Sequence, residues 1–102
     1  PLSFEIIQAI QEVDPTSQLD MLQTIDQEKP ALVVTHIYQG TQADEMEWPL
    51  GELIIKANNK RIHTLDELKK IVKQSQGGAI LMECRSGRIG YFQVEEDLKN
   101  LG

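Results

Sequence analysis

The sequence predicts one α+β domain of about five to six strands and two helices, with an additional helical insertion. Short runs rich in β-branched residues indicate the strands, most clearly from Leu32 to Tyr38. A segment beginning at Thr64 has the spacing and start signal of an amphipathic helix. The 102 residues, 40% hydrophobic and 25% charged, are enough for a single buried core.

Charge and hydropathy limit the possible partners. The formal net charge of -6 disfavours nucleic acid and anionic membrane surfaces, because both select a basic face. No apolar run approaches the roughly 20 residues needed to span a bilayer, so we expect no direct membrane insertion. The chain begins at Pro1 rather than Met, and we therefore expect it to be part of a longer protein.

The first third of the chain predicts a strand followed by a helical insertion. Glu5 to Ile10 is apolar-rich and predicts a strand. Asp14-Pro15 then has the composition of a helix start, and apolar residues recur at three-residue spacing in Leu19, Leu22 and Ile25. We expect a helix over about residues 15–27, within an insertion spanning about 14–28 between the first two strands.

The middle of the chain predicts strand, short helix, strand. Thr41 is a suitable cap for a short helix from Gln42 to Met46, directly after the Leu32 to Tyr38 strand. A second strand is entered through Pro49-Leu50-Gly51 and ends in a tight turn at Asn58-Asn59, since asparagine tolerates positive φ.

The last third predicts a helix and a hairpin. Thr64 and Glu67 have the spacing of a capping box, and the helix continues to Gln74. Gly77-Gly78 ends it and opens a strand from Ala79 to Arg85. After a turn at Ser86-Gly87, the segment from 88 to 94 is expected to return as an antiparallel partner. The domain thus covers 1–94, and 95–102 is a tail or linker.

Cys84 is the only cysteine, so no internal disulfide can form. It alternates with Ile80 and Met82 in the strand predicted from Ala79 to Arg85. This alternation predicts a small buried hydrophobe rather than a reactive thiol.

Three short motifs, in this order, resemble those of a known domain family. They are Gly40-Thr41-Gln42-Ala43, Gly51-Glu52 and Asn58-Asn59. PDZ domains of the high-temperature-requirement (HtrA) serine proteases typically carry a Gly-Ser-Pro-Ala-like turn, a Gly-Asp pair opening a strand, and Asn-Gly. Because an extra strand is predicted at residues 88–94, the chain resembles the circularly permuted PDZ type of bacterial and organellar proteases. This resemblance implies a small partly open barrel or sandwich of five to six strands capped by two helices.

The resemblance implies that a peptide is bound by strand addition between a strand and a facing helix. Pro1 to Phe4 resembles the Gly-Leu-Gly-Phe carboxylate loop at its second and fourth residues, although both glycines are replaced. The helix contributes one face at i, i+4 and i+7. The predicted peptide-binding residues are Leu2, Ser3, Phe4, Glu5, Ile6 and Ile7 with Leu65, Lys69 and Val72. The alternative is that Leu65 and Val72 are plain core residues, or exchange roles with Leu68 and Ile71.

On this resemblance we expect a non-catalytic module that recognises peptide or unfolded-protein C-termini, or other domains or subunits of a parent protease. The parent would be a serine protease and the compartment extracytoplasmic. Membrane-associated metalloproteases and processing proteases also carry such domains. The other hypothesis is a docking or oligomerisation domain whose groove binds no peptide.

An enzymatic function finds no support in the spacing of the polar residues. His36 and His63, taken with Asp44, Asp66 or Ser86, have no local arrangement typical of a catalytic triad or a metal site. Ser86-Gly87 lacks the flanking glycines of a nucleophile turn. We therefore expect no catalytic residues, metal or cofactor in this domain.

Overall fold

The computed structural model describes residues 8–10, as backbone, and residues 18–94. The strands are β1 (Gln8–Ile10), β2 (Leu19–Asp26), β3 (Lys29–Ile37), β4 (Leu53–Ala57), β5 (Lys60–Arg61), β6 (Ala79–Cys84) and β7 (Ile89–Gln93), and the helices are α1 (Gln42–Glu45) and α2 (Leu65–Gln74).

The strands form one antiparallel sheet. Six of them follow the order β1-β2-β3-β4-β6-β7, and β5 pairs with β4 beside this path. The two long pairings are the β2–β3 and β6–β7 hairpins, and β4 joins them by pairing with both β3 and β6. The predicted α+β class is therefore confirmed, with an open antiparallel sheet and two helices among the described residues. The finer expectation of a partly open barrel or sandwich stays a prediction.

The helix predicted over residues 15–27 is wrong in its described part, which is β2. Leu19 and Met21 are buried in the core, whereas Leu22 and Ile25 are only partly covered. The three-residue spacing was misleading because Leu19 and Leu22 lie on opposite faces of a strand. Eight register pairs with β3 decide the outcome, since tertiary pairing outweighs a weak local helix signal. The Asp14-Pro15 helix start lies outside the described residues.

The turn that closes this hairpin was also missed. Gln27 and Glu28 have φ values of 51° and 68° between the paired residues Asp26 and Lys29. Two consecutive positive φ angles are typical of the tight turns that match strand twist. Neither residue type signals such a turn, so nothing local marked this hairpin in the sequence.

Most of the other predicted elements are confirmed. Thr41 caps α1 by accepting a hydrogen bond from the Asp44 N–H, and Asn58 and Asn59 both adopt positive φ. The β6–β7 hairpin is antiparallel, as predicted. Of the strand predicted from Glu5 to Ile10, residues 8–10 form β1, and the remainder lies outside the described residues.

The core lies between the sheet and the apolar side of α2. Trp48, which follows α1, packs edge-on against Phe92 of β7 with ring centroids 5.1 Å apart. Both side chains are almost fully buried. Gly90 lies directly against the indole, and a Cβ at this position would stand 2.7 Å from Trp48 Cζ3. This close approach explains why β7 carries a glycine in the middle of a strand.

We predict that Gly90→Ala destabilises the fold by about 1–3 kcal/mol, because the added methyl must displace a packed indole. Gly78→Ala is the matched control, since a Cβ there meets only the Ser75 carbonyl oxygen at 3.5 Å. Urea denaturation followed by tryptophan fluorescence measures both variants. Equal midpoints for the two variants would contradict the packing of Gly90 against Trp48.

Candidate functional site

The outer edge of β2 is paired with β1 and approached by α2. The register is Gln8↔Gln23, Ala9↔Leu22 and Ile10↔Met21. On the same strand, Gln23 Oε1 accepts a hydrogen bond of 2.8 Å from the Leu65 N–H in the first turn of α2. An extended segment, the strand that it pairs with, and the start of a helix therefore meet at this edge.

The start of β2 is fixed by a second glutamine. Gln18 is almost fully buried, and its Oε1 accepts a hydrogen bond of 3.1 Å from the Ala43 N–H of α1. Its backbone carbonyl accepts another from the Tyr38 N–H at 3.0 Å. Gln18, just before β2, and Gln23, in the middle of β2, thus tie this strand to the two helices. Neither role was predicted, because both glutamines lie within the segment predicted as a helical insertion.

The N-terminus of α2 is held by the predicted capping box. Thr64 Oγ1 accepts from the Glu67 N–H at 3.2 Å, and Glu67 Oε1 accepts from the Thr64 N–H at 3.0 Å. Glu67 Oε1 also accepts from the His63 N–H at 2.7 Å. This backbone hydrogen bond from His63 is the largest cause of the lowered pKa of Glu67, and the bonds from Thr64 act in the same direction against the effect of burial.

The predicted site residues of α2 differ in their exposure. Leu65 and Val72 are buried in the core cluster, and so are Leu68 and Ile71, whereas Lys69 is exposed. All four apolar side chains are covered, so their burial does not distinguish a peptide pocket from core packing. The contact of Leu65, Lys69 and Val72 with a peptide stays a prediction. Leu2, Ser3, Phe4, Glu5, Ile6 and Ile7 lie outside the described residues.

A cleft of about 400 Å³ opens on the other side of the hairpin. Residues 29–31 of β3 line one wall, and residues 53–55 of β4 line the other. The two strands pair at Leu32↔Ile54 and Val33↔Leu53, and Val34 continues the ladder through backbone hydrogen bonds with Glu52 and Gly51. At the mouth, Asp26 forms an ion pair with Arg85, which is the only such pair among the described residues.

Several residues outside the cleft and the N-terminus of α2 make structural contacts. The ring of His36 packs edge-on against Tyr38 with centroids 4.6 Å apart, and Tyr38 donates its hydroxyl to the Asp20 carboxylate. Cys84 is buried, as predicted, and desolvation raises the pKa of its thiol to about 11, with the negative charge of Glu52 adding to the shift. Within residues 18–94, no three His, Cys, Asp or Glu side chains are grouped so as to hold a metal ion.

No helix in the part of the chain that the structure describes is both long and apolar enough to cross a membrane. No protein-family model matches the chain, and no solved structure matches it significantly. Membership of the PDZ family therefore stays a prediction from the sequence motifs.

We predict that Glu67→Gln reduces stability at pH 7 by at most about 1 kcal/mol, because the cap is exposed to solvent. Because the pKa of Glu67 is lower in the folded state, its ionised carboxylate stabilises the fold fully at pH values above its ordinary pKa of 4.5. It is lost as the pH falls through the lowered value. The difference between wild type and variant should therefore shrink between pH 7 and pH 3, as measured by urea denaturation.

Asp66→Asn is the matched control, because Asp66 is an acidic residue of the same first turn that takes no part in the capping box. We expect it to show a smaller effect than Glu67→Gln. A difference that stays constant with pH for Glu67→Gln, or that equals the difference for Asp66→Asn, would contradict the role of the ionised Glu67 carboxylate.

Proposed function

We propose that this chain is a non-catalytic, PDZ-like peptide-binding module that takes up an extended segment as an added strand. The supporting observation is the pairing of β1 with the outer edge of β2 beside the first turn of α2. β1 is three residues long and precedes the hairpin. In this proposal it occupies the position of a bound peptide, and a ligand takes its place on β2.

The order of elements supports the PDZ-like part of the proposal. From β2 onward the chain runs through a hairpin, a short helix, β4 and β5, the helix α2 and a closing antiparallel hairpin. A circularly permuted PDZ domain is expected to show this order. The strand next to the ligand is then β2, one element later than the sequence indicated, because residues 19–26 are a strand rather than an insertion.

The proposed ligand is the C-terminal end of a peptide with an apolar side chain. Backbone groups of β2 from Leu19 to Gln23 would form the ladder of hydrogen bonds with it. On α2, Leu65 and Val72 would contact its apolar side chain, and the exposed Lys69 would attract an acidic group. The parent protein in this proposal is an HtrA-like serine protease, whose unfolded substrates or neighbouring subunits supply such ends.

A second candidate function is supported by the same contact. Because β1 already pairs with residues 21–23 on the outer edge of β2, this edge has a partner strand without any ligand. A module that only docks against other domains or subunits needs no open edge. The two candidates differ in one measurable property, which is whether β1 can be displaced.

We predict that peptide binding tightens when β1 cannot pair. The variant carries Gln8→Pro together with Ala9→Pro. Proline lacks the N–H that a strand donates to its neighbour, and the N–H groups of successive residues point alternately toward and away from β2, so one of the two replacements removes a bond to β2. If pairing of β1 with β2 stabilises the closed edge by about 1.4 kcal/mol, its loss should raise the affinity for the peptide about tenfold. The measurement is an NMR titration with peptides that end in an apolar residue, each as free carboxylate and as amide.

The control carries Gln8→Thr and Ala9→Thr, which keep both N–H groups and suit a strand. We expect its affinity to equal that of the wild type. Shifts in the backbone amides of Leu19 to Gln23 that vanish with the amidated peptides support the proposal. If no peptide moves these amides even in the proline variant, peptide binding is wrong and the docking role is favoured.

A further inference from the structure

The cleft between β3 and β4 combines an apolar floor with a basic rim. Its apolar lining comes from Pro30, Ala31, Leu53, Ile54, Ile55 and Ile62. A volume of about 400 Å³ is within the range of small-molecule sites. The cleft opens on the far side of β3 from the outer edge of β2, so it is separate from the proposed peptide site.

The charge of the lining is opposite in sign to the charge of the protein. Lys29, Arg61 and Arg85 line the cleft together with a single carboxylate, Asp26. Three cations against one anion leave two formal positive charges, with His63 neutral, in a chain of net charge -6. A local field of this sign attracts an anionic group.

Asp26 holds Arg85 in place at this cleft. The Asp26 side chain is 7% exposed, and a buried carboxylate is stable only when it is paired. Its Oδ2 pairs with Arg85 Nη2, while its Oδ1 has no hydrogen-bond partner among the described residues. The pair is therefore single rather than forked.

Because the pair is single, most donors of the Arg85 guanidinium remain uncommitted to Asp26. The Arg85 side chain is 51% exposed, and its backbone N–H is fixed by a hydrogen bond of 2.9 Å to the Leu53 carbonyl of the cleft floor. The guanidinium is thus held at the cleft with N–H groups that have no partner within residues 18–94, which is the arrangement that binds a carboxylate or phosphate oxygen.

We propose that this cleft binds a small amphipathic carboxylate, with its anionic group at Arg85, Arg61 and Lys29 and its apolar body on the floor formed by β3 and β4. The apolar lining favours an organic acid over a bare inorganic anion, because burial of the body adds to the attraction between charges. Binding involves no covalent step.

The test is an NMR titration of the whole chain with 3-phenylpropionate and with 3-phenylpropanamide, which has the same body without the charge. We expect saturable shifts in the amides of Lys29, Ala31 and residues 53–55 and 61–63 with the acid, and binding at least tenfold weaker with the amide. Inorganic phosphate is the third probe, and it should bind more weakly than the acid because it has no apolar body.

Three variants test which cations bind the carboxylate of the probe. Arg61→Gln should weaken binding of the acid about threefold to tenfold, and Arg85→Lys should weaken it similarly, because lysine keeps the pair with Asp26 but lacks the fork. Lys73→Gln is the control, since this exposed cation of α2 lies away from the cleft, and it should leave binding unchanged.

Arg61 is itself exposed, so its replacement tests the site without disturbing the buried Asp26. Four results would overturn the proposal. They are the absence of shifts with the acid, equal binding of the amide, shifts confined to β2 and α2, or equal weakening by Lys73→Gln and Arg61→Gln.

Discussion

The pairing of β2 with β3 is the interaction on which the rest of the structure depends. It runs over eight register pairs and closes through the Gln27-Glu28 turn. One face of β2 supplies Leu19 and Met21 to the core, and the residues that alternate with them lie on the other face. This register brings Gln23 to α2 and Asp26 to the cleft. A shift of one residue would exchange the two faces of the strand and remove both contacts.

Two different sites follow from the two flanks of this hairpin. On its outer flank, β2 offers backbone groups to an extended segment, and Gln23 ties the same strand to α2. On its inner flank, β3 pairs with β4, and residues 29–31 and 53–55 of the two strands line a cleft together with Asp26 and Arg85. In the two proposals, the outer flank would recognise the backbone of a peptide and the inner flank would recognise a charge on an apolar body, so the two ligands would not compete.

Local signals predicted the elements whose geometry is determined by a few neighbouring residues. Thr64 and Glu67 form a capping box in any helix that begins there, and asparagine pairs favour positive φ wherever they occur. β2 was missed because its identity depends on a partner strand and on a turn without typical turn residues. The cleft was missed for a related reason, since Asp26 and Arg85 lie 59 residues apart and meet only through the sheet.

The pairing of β1 with β2 is tested most directly by cross-strand NOEs between residues 8–10 and residues 21–23. The account predicts NOEs between Ala9 and Leu22 in the free protein, and their loss when a saturating peptide with a free carboxylate is added. Retention of these NOEs with the peptide bound would contradict displacement of β1. Their absence in the free protein would contradict the pairing itself.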